Sequence, residues 1–273
     1  MALLVQFLLR LGYGLSLGML LAPAKDVPSG YFRNHLYVVL GVTALAALLS
    51  RTAAADAFPW AVAAAIVAYG GAVCWLYESA ASGKAALAVA ALLGLGGAWQ
   101  ALPATRASSA ERTATAPAAA PSQQAFAPAA SAPPLALRRL QAATSGALLG
   151  VTLAAMLLGH WYLNAPGMRL AALDRLLAAV FAAVALQATV SAAGWGLTLR
   201  AGAGERDLAW HMLLAMRWLF GLAGVFVLAW MARQTLRIPN TQSATGILYV
   251  AVIGVFVGEI AGMLLSVSNP FPV

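Results

Sequence analysis

The sequence predicts an all-α fold, a polytopic transmembrane helical bundle. It has about eight spans in two four-helix halves, joined by a disordered Ala/Pro linker. Three observations predict it. Hydrophobic residues fill 62% of the 273 positions, and charged residues only 9%, where a soluble domain carries roughly 25%. The apolar residues also come in long runs, close to the roughly 20 residues that cross a hydrocarbon core. No soluble fold of this length could bury so much apolar surface, so the bilayer acts as the solvent.

Residues 2–22 form the first such run, with Arg10 inside it. A cleaved signal peptide would place positive charge ahead of the run, so a retained helix is the expectation. The loop PAKDVPSGYFRNH follows at 23–35, broken by Pro28, Ser29 and Gly30. The second span, 36–50, is short and borrows Tyr31, Phe32 and His35 as interfacial residues. Spans three and four cover 57–78 and 84–102, joined by ESAASG. Residues 103–136 are Ala, Pro and Ser with almost no large apolar side chains. Such a composition cannot bury enough surface to offset its ordering entropy, which predicts a linker. Domain boundaries follow at 1–102, 103–136 and 137–273. Arg138 and Arg139 then anchor a fifth span at 141–160. The sixth is 170–198, the seventh 208–232 and the eighth 246–267.

The net charge of +8 arises from 16 Lys and Arg against 8 Asp and Glu. The basic residues cluster at span ends, where they meet lipid headgroups. The excess therefore points to the lipid bilayer as partner and away from nucleic acid. Eight crossings put both termini on one side, face A. Excluding Arg10 and Arg217, seven Lys/Arg fall on each face, so charge counting gives no orientation; a multi-pass protein of a prokaryotic inner membrane is the expected setting. The single cysteine, Cys74, excludes an intrachain disulfide. No phosphate-binding loop or HExxH motif is present.

Depth counting sorts the ionisable groups. At about 1.5 Å per residue, Arg10, Arg217 and Glu259 each lie roughly 12–13 Å in from face A. Ionisable groups at membrane depth cost several kcal/mol, about 2.5–3.5 each even on lenient insertion scales. Three at one level predict a charge-paired cluster, with Arg217 and Glu259 in bidentate contact. It serves either as a structural clamp between helices or as a proton or substrate relay.

Face B collects the chemically richer side chains. His35 and His160 both fall there, whereas His211 falls on face A. Two histidines at one level could ligate a haem b iron or another metal, or serve a quinone site. Arg33, Trp161, Tyr162, Asn164 and Arg237 would line that site, with an arginine steering an anionic group; the default cavity lies near face B, floored by the Arg217–Glu259 level. The competing reading places His160, Trp161 and Tyr162 in the interfacial aromatic belt. Three functions remain open: a membrane subunit of an electron-transfer complex beside other redox subunits, a small-solute permease using Arg217 and Glu259, and a non-catalytic assembly subunit. Small-residue pairs such as Gly254 and Gly258 predict close helix packing.

Overall fold

The computed structural model describes residues 1–102, 135–165, 167–202, 207–238, 240–268 and 271. The linker expected over 103–136 lies outside the described residues, apart from its last two positions, which open a helix. All regular structure among the described residues is helical, and eight helices are long and apolar enough to span a membrane. The protein is an integral, multi-pass membrane protein.

The helices are α1 (Ala2–Leu21), α2 (Ser29–Ala53), α3 (Phe58–Leu76), α4 (Ala80–Gln100), α5 (Leu135–Asn164), α6 (Ala171–Arg200), α7 (Leu208–Leu236) and α8 (Thr241–Ser268). Several outrun their sequence-predicted spans. α2 starts seven residues before position 36, directly after Pro28, whose fixed φ of −59° suits a helix start. Its extra turns place Tyr31, Phe32 and His35 on one buried face. α5 gains turns at both ends and carries Arg138 and Arg139 within its first turns.

Two helices form the centre. In their most apolar stretches α5 is 78% buried and α1 67%, whereas α7 is only 28% buried and presents most of its surface outward. α1 packs most extensively on α5, so helices from before and after the linker share one apolar core: Leu15, Met19, Phe32, Leu36, Leu148 and Leu173 all belong to it. Glycine sets the α1–α5 approach. A Cβ on Gly14 would lie 1.7 Å from Gly146 O, and one on Gly150 would lie 1.8 Å from Gly14 C. Gly14 and Gly18 on α1 thus face Gly146 and Gly150 on α5, two small-xxx-small pairs that let the backbones touch. α7 and α8 repeat the device: a Cβ on Gly258 would lie 2.3 Å from Gly221 Cα.

α7 is not a regular helix. Leu208–Ala215 and Val225–Leu236 are α-helical, but Met216–Gly224 between them is a π-helix of nine residues. The inward-facing residues explain it. Arg217, Gly221, Val225 and Ala229 are all buried and follow one another at intervals of four. At 3.6 residues per turn, each four-residue step rotates the stripe by about 40°, so three steps would swing Ala229 about 120° away from Arg217. The wider π turn takes up that drift and keeps Arg217 and Ala229 on the same side.

Candidate functional site

Of the three charged groups that depth counting placed at one level, Arg217 and Glu259 meet directly and Arg10 joins them through Ser145. Arg217 is fully buried on α7, Glu259 is 2% exposed on α8, and Arg10 is 5% exposed on α1. Arg217 Nη1 donates to Glu259 Oε1 at 2.6 Å and to Gly258 O at 3.3 Å, and Nη2 donates to Ser191 Oγ on α6 at 3.2 Å. The contact is not the bidentate one the sequence suggests. The second carboxylate oxygen, Oε2, instead accepts from the Ser145 hydroxyl on α5. Ser145 Oγ in turn accepts from Arg10 Nη1 at 3.2 Å. Arg10 Nη2 donates to Gln6 Oε1 at 3.0 Å, and Gln6 Nε2 donates to Ala101 O at 2.7 Å.

The result is one hydrogen-bonded chain from the face A end of α4 to the middle of the bundle. It draws on α1, α5, α6, α7 and α8. Two features set it apart from a simple clamp. It holds two guanidiniums but one carboxylate, and the Nε–H groups of both Arg10 and Arg217 have no acceptor among the described residues. Gly262 supplies the flat wall on which Arg217 lies, since a Cβ there would come within 2.9 Å of the guanidinium carbon. A neighbouring buried pair, Thr144 donating to Gln187 Oε1, extends the polar layer. Sequence reasoning found the charged members and missed Gln6, Ser145 and Ser191. Gln6 lies one turn before Arg10 on the same helix, whereas Ser145 and Ser191 sit among other polar residues, Thr144 and Thr189, that the sequence does not tell apart from them.

The face B residues divide into separate groups. His35 is buried. Its Nδ1–H donates to Tyr31 O at 2.6 Å, and its ring lies against Tyr31 and Trp161, at centroid distances of 4.5 and 6.2 Å. Phe32 stacks on Trp75 at 4.1 Å, and Lys84 Nζ lies 4.7 Å from its ring centroid. His160, by contrast, is exposed and shares a 3.2 Å hydrogen bond with the Tyr249 hydroxyl. Tyr162 is buried and donates its hydroxyl to Arg169 O at 2.5 Å, fastening the turn that follows α5. Asn164 is exposed and reaches back to His160 O at 3.5 Å. Arg33 is half-buried and makes no hydrogen bond or ion pair among the described residues. His211 is exposed at the start of α7, on Asp207 O. No group of three or more His, Cys, Asp or Glu side chains converges among the described residues.

Arg237 belongs to a cleft that neither histidine lines. The cleft, of about 410 Å³, is also lined by Leu170, Ala171, Asp174, Arg233 and Leu236, where α6 begins and α7 ends. Neither Arg217 nor Glu259 lines that cleft. No protein-family model matches the chain, and no curated protein or solved structure is detectably similar to it, so its function is read from the chemistry of the buried chain itself.

Proposed function

We propose that this membrane protein is a permease for a small anionic solute, with the Arg10–Ser145–Glu259–Arg217 chain as its binding and coupling centre. The charge imbalance carries the reading. A clamp between helices needs one cation for one anion; here the network holds two buried guanidiniums and a single carboxylate, which pairs with Arg217 directly and reaches Arg10 only through Ser145. An uncompensated charge in low dielectric is costly, and an anion arriving between the guanidiniums removes that cost. The two unused Nε–H groups are donors of the right kind for it. Glu259 competes with the solute for Arg217, so proton uptake on its carboxylate frees Arg217, and proton and anion cross together. The π segment that carries Arg217 is a second support: such irregular turns recur at functional sites, and ionisable groups at membrane depth mark pathways.

The test is swelling of proteoliposomes in isosmotic chloride, nitrate, formate and acetate salts, followed by light scattering. The protein should accelerate swelling in at least one salt over empty vesicles, and Arg10→Gln should slow it. Arg10 is the chosen target because its partners are neutral and survive its loss. No acceleration in any salt, or equal rates for Arg10→Gln, overturns the reading.

A second reading, a membrane subunit of an electron-transfer complex with haem b or quinone near face B, has one observation in its favour. Spending Nδ1–H on a backbone carbonyl leaves His35 Nε2 with its lone pair, the usual arrangement of a ligating imidazole. A visible spectrum of the purified protein decides it: a Soret band lost in His160→Ala supports the reading, and no band removes the haem. Failure of both readings would leave the assembly-subunit role.

A further inference from the structure

We propose that the face B cleft between the start of α6 and the end of α7 holds the headgroup of an anionic phospholipid. Its location puts it at the membrane boundary, because one of its helices is entering the bilayer and the other leaving it. Its lining is two-sided. Leu170, Ala171 and Leu236 give an apolar floor that a glycerol and upper acyl chain would cover, while Asp174, Arg233 and Arg237 give a charged rim.

The rim's charges do not cancel. Arg233 grips Asp174 with two hydrogen bonds, Nε to Oδ1 at 2.8 Å and Nη2 to Oδ2 at 3.2 Å. That carboxylate is therefore already neutralised. Arg237 is exposed and its side chain has no hydrogen bond or ion pair among the described residues. The cleft thus carries one net positive charge over an apolar floor, which complements a headgroup with one net negative charge. A phosphocholine lipid has the same apolar parts but no net charge, so charge is what selects.

The measurement is native mass spectrometry of the full chain, purified in detergent and equilibrated with phosphatidylglycerol or phosphatidylcholine. The wild type should retain phosphatidylglycerol in preference, and Arg237→Gln should weaken that retention by roughly fivefold, the effect of one interfacial arginine. Arg200→Gln, an exposed arginine at the face A end of α6, controls for bulk charge and should change nothing. Equal retention of the two lipids overturns the proposal, as does an effect of Arg200→Gln matching that of Arg237→Gln. Sodium phosphate at the same concentration should leave the lipid bound; if it strips the lipid, the occupant is free phosphate and the lipid assignment fails. Arg237 supports no neighbour, so its loss leaves the fold intact.

Discussion

Arg10 and Arg217 are the same side chain at the same depth, yet the protein holds them in different ways. Arg10 sits on a regular α-helix and is satisfied by neutral oxygens, Ser145 Oγ and Gln6 Oε1. Arg217 sits in a π segment and meets Glu259, the one buried carboxylate among the described residues, directly. Each lies within a turn of a glycine crossing, Gly14 on Gly146 and Gly150 in one case and Gly221 on Gly258 in the other. The difference teaches that a guanidinium in a membrane bundle can be accommodated in two ways. Arg10 has only part of its desolvation offset, by neutral dipoles, and its replacement leaves Glu259 paired with Arg217. Arg217 is offset by a charge, so removing either partner strands the other.

The largest expected effect breaks that second arrangement. Glu259→Met leaves Arg217 buried without a counter-charge and should cost about 3–5 kcal/mol, read as a collapse of yield and of the Tm of the purified protein. Next come the crossings. Gly150→Ala drives a methyl into the α1 backbone and should cost about 1–3 kcal/mol or more. Gly258→Ala meets Gly221 in the π segment, which can tighten toward regular α geometry and yield, so its Tm should fall less. Equal losses at the two glycines would contradict the claim that α7 is the more deformable partner. Arg10→Gln should cost less again, about 1–2 kcal/mol, because its acceptors are neutral and no counter-charge is stranded. A loss as large as that of Glu259→Met would mean that Arg10 depends on the carboxylate. The smallest effect should come from Arg233→Gln. Its Asp174 partner is half exposed, and surface pairs contribute under about 1 kcal/mol.

The bundle was legible in the sequence because hydrocarbon length is a coarse and robust signal. Eight runs gave eight helices, and counting 1.5 Å per residue placed Arg10, Arg217 and Glu259 in one layer. What counting could not give was rotation about each helix axis. His35 and His160 share face B, but one turns into the aromatic cluster of Tyr31 and Trp161 and the other outward to Tyr249. The boundaries of α2 and α5 were misjudged for a related reason. Polar and aromatic residues at an interface continue a helix as readily as they end it, and only Pro28 marks the true start of α2. The glycine pairs at Gly14 and Gly18 and at Gly146 and Gly150 were present in the sequence; nothing in it told them from the many other small residues. The π segment also left a trace, in the four-residue spacing of Arg217, Gly221, Val225 and Ala229. That spacing becomes informative only once all four are known to face inward.

The measurement that bears most directly on the account is a double-mutant cycle on Arg217→Met and Glu259→Met, with stability read as Tm and function as swelling rate in the same proteoliposomes. Each single variant should lose stability heavily. The double variant, which strands neither member of the pair, should recover most of it while its swelling stays at the level of empty vesicles. Additive losses of stability in the double variant, or swelling that survives in it, would contradict the claim that these two side chains form one buried unit on which transport depends.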